Sequence, residues 1–435
     1  MFVYLIAVIV LVVAFLLAKA KYDNQSLSYK GVLYHKHCRL SQFLLHKWTA
    51  LEEHFRPTFW AANAHIQTLL YLLWPTTKVR FRREYLLLED QGVLALDWST
   101  TNEHLLDTAS AVLIIIPGLT CGINEVSLLC SRAHEYSFRY VVFNRRGHGG
   151  SVLTTACLQN SFQGKDLEEA ILYIHNVYPC AKMCAVAYSS GSALLLSYLE
   201  ESKKAALSGA VCISPNYEME KGLENGLPPL YDYLMTKRLI RLLKQHPGLS
   251  SVIDYESAMK SCNIREFNER VYEPLLNLNG YRSGAENMAN NNFNNVTRIR
   301  VPTLCISALD DPICSEESIP YSLFKNSSNF FLITCEKGGH CGFMQGDTNL
   351  HSWADHLACT FLDAMVHFNM KKPVENSPFF FTRVTRDRSY TQWCRRQGKT
   401  NDSVLNDGFF EVISILFSVA LNKIVDDITY GQYGL

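Results

Sequence analysis

The 435-residue chain has no net charge: 41 lysines and arginines stand against 41 aspartates and glutamates, and charged residues make up only 19% of it. There is no basic excess and no basic stripe interleaved with aromatics, which excludes nucleic acid as an expected partner. Cysteine is plentiful at 14 residues, but no CxxC pair occurs and no histidine falls at a zinc-site interval from one. That excludes the common structural zinc sites. Several cysteines, such as Cys184, Cys212, Cys305 and Cys335, lie in or beside apolar runs and read as small core hydrophobes. The sequence leaves a disulfide between distant cysteines open. No motif asks for a metal or an organic cofactor.

Charge is also missing from residues 1–18, MFVYLIAVIVLVVAFLLA. With its flanks, this run is just long enough to cross a bilayer core of ~30 Å as a helix. A cleaved signal peptide is the competing reading, since Ala18-Lys19-Ala20 offers a small-x-small site. The basic n-region it would need is absent, and the run exceeds an ordinary h-region. An uncleaved anchor over residues 1–20 is therefore expected, in the endoplasmic reticulum or another endomembrane. Its orientation stays open: Lys19, Lys21 and Lys30 favour a cytosolic catalytic domain. The sequons at Asn24, Asn295, Asn326 and Asn401 favour a lumenal one, although chance alone supplies about as many.

A membrane-proximal, His- and aromatic-rich segment is expected over 21–79. From Arg80 short apolar runs alternate with helical ones. REYLLLED and GVLALDWS read as a hairpin; AVLIII (111–116), YVVFN (140–144), MCAVAY (183–188), 210–214, 303–307 and 330–334 read as strands. Helices are expected over 166–177 and 192–201. This alternation predicts an α/β fold, a mainly parallel sheet with helices on both faces, over 80–370. Between residues 216 and 298 the alternation stops, and a helical insertion, with LYDYLMTKRLIRLLKQ as its strongest helix, is expected to form a lid. The tail, 371–435, contains an apolar stretch at 409–425 that could lie in the membrane interface or dock on the domain.

In open parallel sheets, reactive groups collect beyond the carboxyl ends of the strands, and three candidates fall there. Ala187-Tyr188-Ser189-Ser190-Gly191 stands between a strand and a helix, as in a G-x-S-x-G nucleophile elbow with alanine for the first glycine. Ser189 is the candidate nucleophile. In PTLCISALDDPICSEES the turn after a strand carries Asp310 and Asp311; Asp311 is the better placed to orient an imidazole, with Asp310 a turn residue or a support. In FFLITCEKGGHCGF, His340 sits among glycines where it has little packing to do, and is the candidate base. The oxyanion donors are expected to be the backbone N–H groups of Ser190 and, in the loop after AVLIII, of Leu119; losing one such donor typically costs ~2.7–4 kcal/mol.

The chain resembles the YheT-like branch of the α/β-hydrolases, membrane-anchored lipases and phospholipases among them, from about His54 to Met365. The resemblance rests on FRPTFWAANAHIQTLL, LALDWS, PGLTCG, NRRGHGGS, IREFNERVYEPLLNLNGYRS, RIRVPTLCISALDDP and the three segments above. It implies the α/β-hydrolase fold, the triad Ser189, Asp311 and His340, and hydrolysis of lipid carboxylic esters without a cofactor. Members of that branch usually carry Gly-Phe-Ser-Leu-Gly-Gly-Asn around the nucleophile, where this chain has Ala187-Tyr188-Ser189-Ser190-Gly191-Ser192-Ala193. The expected partners are a lipid ester and the bilayer, with no protein partner named. An acyltransferase using the same triad, or an inactive scaffold of the same fold, are the alternatives.

Overall fold

A computed structural model of the chain describes residues 27–73, 79–101, 105–159, 164–202, 206–217, 227–279, 298–346 and 349–368. In chain order the elements are β1 (Val32–Tyr34), α1 (Arg39–Lys47), α2 (Ala64–Leu73), β2 (Phe81–Leu87), β3 (Val93–Ser99), β4 (Val112–Ile116), α3 (Ser127–Glu135) and β5 (Arg139–Asn144). There follow α4 (Lys165–Val177), β6 (Met183–Tyr188), α5 (Ser190–Glu201), β7 (Leu207–Ile213), α6 (Pro229–Leu243), α7 (Tyr255–Met259), α8 (Ile264–Phe267) and α9 (Glu273–Leu278). The order closes with β8 (Thr303–Ala308), α10 (Tyr321–Asn326), β9 (Phe330–Cys335), the short pair β10 (Met344–Gln345) and β11 (His351–Ser352), and α11 (Trp353–His367). The expected anchor and the tail with its 409–425 stretch lie outside the described residues. Among the described residues no helix is long and apolar enough to cross a membrane.

Nine strands form one sheet in the order β1-β9-β8-β7-β6-β4-β5-β3-β2. The six from β9 to β5 run parallel, while β1, β3 and β2 pair antiparallel at the two edges. This is the α/β-hydrolase architecture. The central strands are almost wholly apolar and buried throughout (VLIII, MCAVAY, TLCISA), as strands covered on both faces must be. Their side chains alternate between two cores. Leu113, Ile115, Val186, Ile213 and Ile306 face α3, α11 and the N-terminal segment. Val112, Ile114, Ile116, Ala185 and Cys212 face α4 and α5.

Two differences from the sequence reading matter for the site. Helix α5 begins at Ser190 rather than Ser192, so no linker separates it from Ser189. Residues 27–73 also join the main core: Leu40, Leu44, Trp48 and Phe55 are buried with the sheet residues, and β1 pairs with β9. Neither shows in hydropathy, because β1 has only three residues and its burial depends on partners about 300 residues away. The segment around α6 to α9 packs as its own apolar cluster of Leu239, Leu243, Phe267, Val271 and Leu275, with Leu119 and Leu153 of the sheet loops against it. The 13 described cysteines are all free.

Candidate active site

The chain passes from β4 outward to β5, then crosses back to β6 on the other side of β4. This reversal opens a crevice beyond the carboxyl ends of β4 and β6, where open α/β sheets bind ligands. Pro117-Gly118 leaves β4 there and Ser189 leaves β6. Ser189 has φ 50° and ψ −123°, a conformation that is strained for any residue with a Cβ and persists only where the surroundings fix it. Here they do. The Ser189 N–H donates to the Ile213 carbonyl at 2.9 Å, and α5 starts at once behind it. Gly191 permits the tight approach: a Cβ there would lie 2.6 Å from the Ile116 carbonyl oxygen.

The residues that depart from the G-F-S-L-G-G-N pattern have partners. The Tyr188 hydroxyl donates to Asp355 on α11 at 2.5 Å, and its ring stacks on Tyr71 at 5.5 Å between centroids. Ser190 Oγ accepts from Arg145 Nη2 at 3.2 Å. Ser192 Oγ donates to the Ala187 carbonyl at 3.1 Å. Ala187 is fully buried and its methyl is simply packed.

The structure brings Ser189, His340 and Asp311 together. His340 Nε2 lies 2.7 Å from Ser189 Oγ and its Nδ1 lies 2.8 Å from Asp311 Oδ2. A carboxylate only accepts, so Nδ1 carries the proton and, in the neutral ring, Nε2 accepts from the serine hydroxyl. Asp311 is held by the N–H groups of Ile313 and Cys314 on its other oxygen, at 2.8 and 2.9 Å. Burial opposes a charge on His340, but the charge of the Asp311 carboxylate and its hydrogen bond to Nδ1 outweigh it. The imidazole is thereby held above its ordinary value of 6.5. Asp310 points elsewhere and accepts from the Gly339 N–H at 3.0 Å, which makes it a support of the histidine loop.

That loop has a second support with no counterpart in the motif reading. Thr68 Oγ1 on α2 accepts from the His340 N–H at 2.9 Å. Gln67 receives the Met344 N–H at 2.7 Å and donates to the Met344 carbonyl at 3.0 Å. From the other side, Ser214 Oγ accepts from the Cys341 N–H at 2.9 Å. Gln67 and Thr68 lie buried on α2, and no motif in the sequence pairs them with the histidine loop. Tyr231 of α6 adds a polar group from above, within hydrogen-bond distance (2.7 Å) of His65 Nδ1.

Leu119 lies in the loop after β4 and Ser190 opens α5. Gly118 to Cys121 form a turn closed by Cys121 N–H to Gly118 O at 3.2 Å, with Thr120 at φ 62°. The inner amides of such a turn are not used by it. Ser190 is the first residue of α5, so its N–H has no acceptor within the helix. Asp311, Cys314 and His340 lie within 4.8 Å of one another. Both imidazole nitrogens are already engaged, and burial pushes the Cys314 thiol up to about 11. The trio is therefore suited to handling a proton rather than to gripping a metal.

Residues 107–344 match the family model Hydrolase_4, described as serine aminopeptidase, S33. The chain is 33% identical over 327 residues to the protein ABHD15 of Homo sapiens, covering 72% of this chain and 69% of that one. It is 30% identical over 374 residues to the phospholipase ABHD3 of Bos taurus, covering 82% and 89%. It is 27% identical over 292 residues to the monoacylglycerol lipase of Saccharomyces cerevisiae, covering 62% and 64%.

Proposed function

The chain belongs to the Hydrolase_4 family of α/β-hydrolases and is an ester hydrolase, and from that premise we propose that it cleaves carboxylic esters of lipids with Ser189 as nucleophile, His340 as base and Asp311 as orienting acid. The single observation that carries this reading is the hydrogen-bonded chain Ser189–His340–Asp311 at the mouth of the crevice. His340 takes the Ser189 proton as Oγ attacks the ester carbonyl. The N–H groups of Leu119 and Ser190 receive the oxyanion, and His340 then protonates the leaving alcohol. Water, activated by the same imidazole, releases the fatty acid from the acyl-enzyme. Burial and hydrogen bonding fix the imidazole before substrate arrives, so little reorganisation is left for the reacting complex.

A lipid substrate is supported by the apolar setting of the loop after β4. Leu119 packs with Leu153 against the buried apolar cluster of α6 to α9. The phospholipase and lipase names of two relatives point the same way. Residues 1–18 are proposed to hold the enzyme at its substrate's bilayer.

The test is labelling of the detergent-solubilised full chain by a fluorophosphonate, wild type beside Ser189→Ala, with fatty acid release from phospholipid and acylglycerol vesicles measured in parallel. Wild type is expected to label and hydrolyse. The variant is expected to lose labelling and at least about 10³-fold in rate, as when the serine of a triad is removed. Equal labelling of both proteins would reject Ser189. The anchor is tested on the same material: carbonate-washed membranes should retain the full chain and lose one that starts at residue 27.

A further inference from the structure

Arg145 is left without a role by the reaction just described. It follows β5 directly and is buried, 3% exposed. Its neighbour Arg146 is met by the carboxylates of Asp90 and Asp166. Arg145 meets no carboxylate among the described residues. The ionisable groups around it include the Tyr272 and Tyr71 phenols, the Cys121 thiol and the His148 imidazole, each held neutral chiefly by burial. Its Nε has no acceptor among the described residues. A buried cation without a counter-charge is unfavourable, and burial accordingly pulls the guanidinium down to about 10.

The bonds that Arg145 does make join the two halves of the proposed oxyanion hole. Nη1 donates to the Gly118 carbonyl and Nη2 to Ser190 Oγ, each at 3.2 Å. The Gly118 carbonyl and the Leu119 N–H belong to one trans peptide, so they point in opposite directions. The guanidinium therefore lies behind the peptide while the Leu119 N–H faces away from it. A cation on the carbonyl fixes the peptide plane and polarises it, which makes the N–H at its other end a stronger donor. Serine at 190, where the YheT-like pattern has leucine, supplies the second acceptor.

We propose that Arg145 is a positioning residue of the oxyanion hole: its fork holds the Gly118–Leu119 peptide and Ser190 in one geometry, and its charge, uncompensated in the resting site, is compensated when negative charge forms on the substrate oxygen. The inference rests on Ser189 being the nucleophile. It assigns the guanidinium to the transition state rather than to substrate binding, since an interaction that strengthens only as charge develops raises kcat and leaves KM alone.

The experiment compares the full-length wild type, Arg145→Met and Arg145→Lys in detergent. Hydrolysis of a soluble p-nitrophenyl ester is followed, with an alkylboronic acid as the probe that adds to Ser189 as a tetrahedral anion. Arg145→Met is expected to lower kcat about 10- to 100-fold, somewhat less than removal of an oxyanion donor itself, with KM shifted under about threefold. Boronate affinity should fall by a similar factor. Arg145→Lys, which keeps the charge but cannot span both acceptors, should lie between. An unchanged kcat, a raised KM with kcat kept, or a lowered kcat with boronate affinity kept would each overturn the proposal. Should Arg145→Met lose its melting transition, Arg145→Lys is judged by the same criteria. A wild type that neither labels at Ser189 nor binds boronate overturns the parent reading and this one together, whereas an active wild type with an indifferent variant overturns this one alone.

Discussion

Asp311 does two things to His340 that pull its chemistry in one direction. It fixes the tautomer through Nδ1, and its charge raises the imidazole above 6.5 despite burial. In the proposed mechanism the reactive form is neutral at Nε2, so kcat/KM should climb with pH through the raised value. Asp311→Asn removes the charge and leaves the burial; the acid limb of the pH–rate profile is then expected to move to lower pH, with kcat reduced about 10⁴-fold. A limb that stays in place would show that Asp311 does not set the His340 charge. The same pair also links stability to pH. A raised imidazole stabilises fully below its unfolded value and loses that contribution as pH rises through the folded one, so the variant should flatten this dependence in melting curves. Ser189, Asp311 and His340 could be found in the sequence because each stands in a short motif. Arg145, Thr68 and Gln67 could not, since their partners lie at positions 118, 190, 340 and 344 and no local pattern names them.

At the scale of elements, the histidine loop and α2 behave as one unit. Gly339 has φ 60°, and a Cβ on it would lie 2.4 Å from the Ala64 carbonyl at the start of α2. Gly339→Ala is therefore strained by its backbone and by contact with a rigid helix. It is expected to destabilise by roughly 1–3 kcal/mol and to depress kcat more than KM, as read by urea denaturation and steady-state kinetics. A variant as stable and active as wild type would mean that α2 yields easily and does not position His340. The strands and the order of strand and helix were legible because short apolar runs and helical spacing are local signals. The cooperation of α2 with the loop is a packing fact between residues about 270 apart, and periodicity carries no information about it.

Over the whole molecule, the first and last described segments are fastened to each other. Strand β1 pairs with β9, the Trp48 indole donates to Thr360 at 2.8 Å, and the Trp353 indole donates to the Glu53 carbonyl at 3.2 Å. Trp48 also stacks edge-on against Phe361. Trp48→Ala is expected to cost about 3–5 kcal/mol of global stability, with the Ser189 site intact in the fraction that remains folded. A loss confined to local proteolysis near residue 48, with the global transition unmoved, would contradict it. This fastening also has a consequence in time. Residue 53 emerges from the ribosome 300 residues before its partner at 353. At ~5–20 residues per second the interval is roughly 15–60 s. Throughout it Leu40, Leu44, Trp48 and Phe55 lack the cover of α11, so the beginning of the chain keeps apolar surface in water until its end has been made.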